Sequence, residues 1–395
     1  MADYKILTPP PRPHRTAWIT VAVVVVLALV AGGAYLVGKH AHTSAAGSPT
    51  AGGGHSTRPT TAPVSSFKVV STTQSAGATQ VPSDQSISVQ LSSPVAAQSG
   101  MPTLNPPVTG TWAASGHTVT FTAAAPMIPT VTETLTIPSG SSGVQSAKGA
   151  LLTHPVAVTF SVAQASTERL QQMLGQLGYL PLSFTPAGPL SSPNQAFTAQ
   201  AGSFAWKWPG LPTSLTSLWT EGGENVITKG AVMNFEHQAG LAVDGVAGQH
   251  VWSDLLSDIA ANTTNTVPWV YVFVSKQLPE ALTVFENGAA VPALTNVAVN
   301  TGAPGADTAN GTYPVFEHVV SSRMQGTNPD GSTYDDPAVP WASYFNGGDA
   351  LHGFVRATYG SYQSNGCVEM PVATAAVVWP LTPIGTLVTV TGPSS

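Results

Sequence analysis

Hydrophobic and polar positions alternate with different periods in successive stretches of this chain, and each change of period marks a change of structure. Ala17 to Gly38 is an uncharged, mostly apolar run. As a helix rising about 1.5 Å per residue it is long enough to cross the roughly 30 Å core of a bilayer. Lys5, Arg12 and Arg15 precede it. The positive-inside rule then puts residues 1–16 in the cytoplasm, a transmembrane signal anchor at 17–38 and everything after Lys39 outside. A cleaved signal peptide is the alternative, but its apolar region normally runs only about 7–15 residues and no small-x-small cleavage site follows. Residues 39–65 are Gly, Ala, Ser, Thr and Pro without periodicity, the composition of a flexible tether.

From Phe67 to about Val162 the period is two. Phe67–Val70, Ile87–Leu91, Thr118–Thr122 and Val156–Phe160 alternate between turn residues, which predicts a β-sandwich over residues 66–165. Over 166–262 the period becomes helical. Leu170, Met173, Leu174 and Leu177 lie at i, i+3, i+4 and i+7, with Ser166 or Thr167 as cap and Gly178 as terminator. A second helix is expected from Thr228 to Ala239, ending at Gly240, and a third carries Val251, Trp252, Leu255, Leu256 and Ile259. Between the first two, Pro181 to Asn225 is an insertion with Trp206, Trp208 and Trp219. These either fill a hairpin's own small core or form a surface on which sugars stack.

Period two returns in 267–392, with strands expected at Trp269–Ser275, Leu282–Glu286, Asn296–Asn300, Thr312–Phe316 and Thr386–Val390. Gly288 supplies a hairpin turn between the first two or their neighbours. Ser321 to Asp349 is long and polar and reads as a functional loop, a lid whose Tyr334, Trp341 and Tyr344 cover a bound peptide.

With 395 residues the chain has room for two to four domains. Lys+Arg number 13 against Asp+Glu 19, a net charge of −6 with only 8% charged residues. That leaves no basic face for nucleic acid and no acidic tail. Gly (38) and Pro (34) are abundant, as suits a β-rich, loop-rich exported protein.

Cys367 is the chain's one cysteine, and an exported protein with one cysteine cannot close an internal disulfide. The thiol is either inert and buried or free and reactive. It lies in Ser364-Asn365-Gly366-Cys367-Val368-Glu369-Met370, downstream of Leu351-His352-Gly353. A thiol needs a histidine to take its proton and hold the imidazolium beside the sulfur. A glycine before it lets the backbone turn tightly and bring N–H groups towards a developing oxyanion.

These two segments, with Thr308-Ala309-Asn310-Gly311-Thr312-Tyr313-Pro314-Val315 before them, resemble the L,D-transpeptidase catalytic domain over roughly Val267 to Val390. Ala309 replaces the pattern's proline, Asn365 stands where many members have histidine, and Glu369 where arginine or asparagine is common. The Pro82-Ser83-Asp84 and Ser93-Pro94-Val95 segments and the Thr118–Phe121 strand resemble a bacterial immunoglobulin-like domain. The Leu170…Leu180 and Gly240…Trp252 series resembles the three-helix peptidoglycan-binding domain. Together the resemblances imply a mainly-β multidomain protein: signal-anchor helix, immunoglobulin-like sandwich, small three-helix domain and mainly-β catalytic domain.

The catalytic resemblance implies a cysteine acyltransferase that cross-links peptidoglycan 3→3, is acylated by carbapenems and needs no metal or cofactor. Cys367 would be the nucleophile and His352 the base, with its other ring nitrogen donating to the Gly353 carbonyl. The N–H groups of Gly366 and Cys367 would form the oxyanion hole, supported by Ser364. Donor and acceptor would be a tetrapeptide stem and a diamino acid amine. Tyr344, Trp341, Tyr334, Asn365, Glu369 and Arg356 are the candidate substrate-binding residues. Glu369 has three placements open: neutralised by a cation such as Arg356, facing the acceptor amine, or solvated off the site. A cysteine hydrolase or protein-anchoring transferase on the same scaffold, and a non-catalytic wall-binding protein, remain alternatives.

Overall fold

The structure is a computed structural model that describes residues 66–97 and 99–393. The anchor expected at 17–38 and the tether at 39–65 lie outside the described residues. Among the described residues no helix is long and apolar enough to cross a membrane.

The first module is a sandwich of two four-stranded sheets. Strands β1 (Val69–Thr72), β3 (Ile87–Leu91), β6 (Thr118–Ala123) and β5 (Gly110–Ser115) form one sheet in that order. Strands β2 (Ala78–Val81), β8 (Val156–Val162), β7 (Thr132–Ile137) and β4 (Thr103–Asn105) form the other. The alternation works as expected: Ile87, Val89 and Leu91 are buried, and they pack with Leu135, Ile137 and Phe160 of the opposite sheet.

Three helices follow. In α1 (Thr167–Gln176) the Ser166 hydroxyl accepts from the Arg169 N–H at 3.1 Å, and Gly178 ends it with φ +87°. Helix α3 (Val226–Ala239) starts two residues earlier than expected because Asn225 caps it, and stops at left-handed Gly240. Helix α4 (Gln249–Ala261) buries Val251, Trp252 and Leu255. The insertion is a hairpin, β9 (Leu182–Pro186) with β10 (Gly202–Trp206), then the short α2 (Thr213–Thr216). Its tryptophans make intramolecular ring contacts: Trp219 edge-on to Phe204 at 5.3 Å and Trp208 stacked on Trp269 at 5.8 Å. With Trp206 they pack on the helical core, so the sugar-stacking option is corrected to packing.

The C-terminal region is two packed sheets. One has the order β13 (Ala289–Ala290), β12 (Ala281–Glu286), β11 (Val270–Ser275), β20 (Leu387–Thr391), β15 (Gly311–Pro314), and β14 (Val297–Ala298) pairs with β12. The second is β16 (Glu317–Thr327), β17 (Thr333–Asn346), β18 (Asp349–Gly353), β19 (Val368–Met370), followed by α5 (Val372–Val378). The expected Asn296–Asn300 strand shrinks to Val297–Ala298. Gly288, at φ +77°, turns β12 into β13, a neighbour and not β11. Ser321 to Asp349 is not a loop: it is most of the β16–β17 hairpin, its tip and the step to β18.

Strand β11 reads as one apolar run because both of its faces are covered. Val270, Val272 and Val274 face the second sheet with Leu351, Val368 and Met370. Tyr271, with Phe273 packed beside it, belongs to the core of the helices instead. A Cβ on Gly230 of α3 would lie 2.7 Å from the Gly385 carbonyl, and Asn234 Nδ2 donates to the Ile384 carbonyl at 3.1 Å. The three-helix module therefore shares its core with the first C-terminal sheet and is not a free-standing unit.

Candidate active site

The first motif positions the third. The buried Thr308 hydroxyl donates to the Gly366 carbonyl at 2.7 Å and accepts from the Gly302 N–H at 2.9 Å. Lys276, at the end of β11 and also buried, donates from Nζ to the Thr308 carbonyl at 2.9 Å. Gly311 is required by Tyr313, whose hydroxyl sits 2.5 Å from where a Cβ would be and bonds the Asn310 carbonyl at 2.9 Å.

The second and third motifs are parallel neighbours. Leu351, His352 and Gly353 of β18 face Val368, Glu369 and Met370 of β19 in register. Leu351 and Val368 turn into the core. By alternation His352, Glu369 and Cys367 share the opposite face. Cys367 extends β19 by one residue and lies beside Ala350, two residues before His352. Two residues at about 3.3 Å and one strand spacing of about 4.8 Å place the two Cα atoms about 8 Å apart.

The buried His352 holds its Nδ1 3.1 Å from the Gly353 carbonyl, the bond expected from the resemblance. This fixes Nδ1 as the protonated nitrogen and leaves the Nε2 lone pair to accept a proton. Gly353 also lets α5 approach: its Cβ would lie 3.0 Å from Val372 Cα. Burial pushes the imidazole below its ordinary value, against the Gly353 carbonyl and Glu369, which favour protonation. Burial pushes the thiol up to about 12; the Ala350 N–H favours thiolate, and the charges of Asp349 and Glu369 oppose it. The half-buried sulfur rests against the Gly348 carbonyl at 3.6 Å. Both shifts run towards the neutral forms of the two groups.

The expected oxyanion pair is also corrected. The Gly366 N–H is held by Ser364 Oγ at 3.2 Å, and the same hydroxyl donates to the Cys367 carbonyl at 2.6 Å. Ser364 thereby shapes the turn, with Gly366 at φ +107°, and occupies one N–H of the expected pair.

Glu369 is buried, and Arg356 grips it with Nε to Oε2 at 2.7 Å and Nη2 to Oε1 at 2.8 Å. Neither a solvated carboxylate nor one free to greet an acceptor fits this geometry. Arg356 lies over the Phe354 ring at 4.7 Å, and Phe354 meets the His352 ring edge-on at 6.0 Å.

Tyr334 and Tyr344 are close enough to the sulfur for its charge to act on both phenols, secondary to their burial. Tyr344 also bonds Ser322 Oγ at 2.8 Å. Trp341 does not join them: its ring lies tilted against Trp379 at 5.5 Å and packs against the core of the two sheets. Exposed Asn365 reaches the hairpin tip, where Asn328 Oδ1 accepts from its Nδ2 at 2.7 Å. Four polar residues that carried no sequence signal complete the frame. Lys276 ties β11 to the first motif, and the buried Glu280 carboxylate holds Thr301 through its N–H, at 2.6 Å, and its hydroxyl. Asn300 pairs by backbone with Glu369 at 2.8 Å. The fourth, Asp349, contacts Gly366. Among the described residues no three His, Cys, Asp or Glu side chains converge as metal ligands.

Residues 270–390 match the family model of the L,D-transpeptidase catalytic domain, and residues 61–162 match that of a bacterial Ig-like domain. No curated protein matches the chain. Among solved structures it is similar to L,D-transpeptidase 3 from Mycobacterium tuberculosis, with 13% identity over 82% of this chain and 98% of that one and a TM-score of 0.28. It is also similar to an L,D-transpeptidase from Mycobacterium smegmatis, at 12% identity, 82% and 99% coverage and TM-score 0.28. The catalytic domain of the E. faecium L,D-transpeptidase is 21% identical over 32% of this chain and 100% of that one, with TM-score 0.28.

Proposed function

We propose that the chain is an extracytoplasmic L,D-transpeptidase that forms 3→3 peptidoglycan cross-links through a Cys367 thioester. The observation that supports this most is the meeting of three separate motifs at one turn: Thr308 holds the Gly366 carbonyl, and β18 carries His352 alongside the strand that Cys367 opens. Cys367 Sγ attacks the carbonyl of the third stem residue while His352 Nε2 takes the thiol proton. Both shifts run towards the neutral forms, so in this reading the proton moves during attack. The Cys367 N–H faces the developing oxyanion, and comparable acyl-transfer donors are worth about 3–4 kcal/mol. His352 returns the proton to the departing amine of the fourth residue. An amine of a second stem then resolves the thioester.

Residues 166–262 would add contact with the wall polymer, and residues 17–38 would hold the chain at the membrane with the site outside. A hydrolase on the same scaffold or a non-catalytic wall protein would give different products. Incubating the full chain with purified disaccharide-tetrapeptide and reading masses separates the three. The proposal expects cross-linked dimer; tripeptide monomer alone means hydrolysis, and unchanged substrate removes the catalytic reading.

A further inference from the structure

The β16–β17 hairpin leaves the second sheet by one end and returns to the other. Ser343 pairs with Leu351, which sets Trp341 level with Gly353 at the close of β18. From there β17 runs with β16 out to the tip at residues 328–332. Yet the tip meets the opposite end of the sheet, just before β19 begins. Asn328 Oδ1 accepts from Nδ2 of Asn365, two residues before Cys367, at 2.7 Å. Beside it, a Cβ on Gly305 would lie 3.4 Å from Pro329 Cβ. The Gly305 segment belongs to the same turn, since the Ala303 N–H donates to the Ser364 carbonyl at 2.8 Å.

A straight hairpin could not make these contacts. Tyr344 pairs with Glu317, yet its hydroxyl lies 2.8 Å from Ser322 Oγ, five residues further along β16. At about 3.3 Å per residue an extended strand would carry Ser322 about 17 Å beyond Glu317, farther than a tyrosine reaches. The bend has its causes in the chain. The register slips between Ser322 and Met324, Pro337 and Pro340 interrupt β17, and Trp341 takes a left-handed φ of +60° that bulky residues rarely adopt. Leu351, Val368 and Met370 fill the other face of the sheet. The hairpin therefore folds back over the face that carries His352 and Cys367.

We propose that Asn365 is a specificity-determining residue: its bond to Asn328 latches the hairpin across Cys367, so that an extended peptide strand threads beneath while a folded or branched chain is shut out. Asn365 is exposed and Asn328 half-buried, so the bond competes with water and can open. The proposal rests on the acyl-enzyme reading for the identity of the strand, a peptidoglycan stem. It also separates that reading from a protein-anchoring transferase, whose folded acceptor would need an open site.

The full chain has one cysteine, so a thiol reagent reports on Cys367 alone. N-ethylmaleimide and a maleimide borne on a branched polyethylene glycol share one electrophile, and the ratio of their rates reads access with thiol reactivity cancelled. Asn328→Ala should raise the branched-to-small ratio about twofold to tenfold, the shift in an open–closed equilibrium when one hydrogen bond's net contribution is lost. Asn328 Nδ2 also donates to Ser332 Oγ, so Asn365→Ala, which leaves the tip's own bonds intact, must agree with it. The double variant should exceed neither single, because both remove the same bond. An unchanged ratio in either single variant, or a double variant whose increase is the product of the two, overturns the proposal. A carbapenem given to the same preparations keeps the two readings apart. Wild type that forms no adduct would sink the acyl-enzyme reading and leave the latch standing, whereas an adduct with unchanged ratios would sink the latch alone.

Discussion

Thr308→Val isolates the bond by which the first motif holds the nucleophile's turn. Valine keeps the side chain's shape and removes only the hydroxyl, which donates to the Gly366 carbonyl and accepts from the Gly302 N–H. Both backbone groups would then be buried without partners, and each such loss costs about 1–3 kcal/mol. The surroundings cannot close in to compensate: a Cβ on Gly302 would already lie 2.0 Å from the Ala306 carbonyl. The sum is about 2–6 kcal/mol, and at about 2–4 °C per kcal/mol the unfolding midpoint should drop roughly 4–24 °C. Acylation by a carbapenem should also slow, because the turn that presents the Cys367 N–H has lost its tie. Calorimetry and intact-mass kinetics on the same preparation measure both effects. A stability change under about 0.5 kcal/mol, with acylation at the wild-type rate, would refute the argument that Thr308 positions the turn.

Three further outcomes are expected. Glu369→Gln removes a carboxylate that opposes the thiolate, so iodoacetamide should alkylate Cys367 faster. The same change should cost about 2 kcal/mol, less than the ~3–5 of a fully buried pair because Arg356 keeps 31% exposure; slower alkylation would count against this geometry. Glu133 is buried in the sandwich, its Oε2 has no partner, and burial raises its pKa to about 7. A raised carboxyl contributes stability that is full below about pH 4.5 and lost as pH rises through 7. The sandwich should therefore melt lower at pH 8 than at pH 5, and Glu133→Gln should flatten that slope; parallel slopes by circular dichroism would contradict it. Gly230→Ala drives a Cβ into the Gly385 carbonyl and should lower the helical and catalytic melting together, whereas an unchanged catalytic midpoint would mean that the shared core is unimportant.

Legibility in the sequence followed burial. Ile87–Leu91 alternates buried and half-buried positions and α1 carries its apolar residues at helical spacing, so their periods predict their structure even though α1 also buries Arg169, Gln171 and Gln172, and the Ser166 and Gly240 boundaries come from local cap chemistry. The β16–β17 hairpin defeated the same logic because its outer half carries no apolar face. An exposed Arg323–Asp335 pair and the Tyr334 hydroxyl lying over Gly326 support it instead. Cys367, His352 and the His352–Gly353 bond were legible because their spacing matches a known pattern. The Arg356 grip on Glu369 was only one of three placements open, and the loss of the Gly366 N–H to Ser364 and the place of Asp349 were not legible. Each depends on which backbone segments meet, and no local rule of period or capping encodes that.

The central claim, that Cys367 is a nucleophile activated in place by His352, is tested most directly by intact-mass analysis of the full chain after long incubation with a carbapenem. The account predicts one covalent adduct on wild type, its loss in Cys367→Ala, and a much slower adduct in His352→Ala. An adduct that persists in Cys367→Ala, or a wild-type chain that stays unmodified, would contradict it.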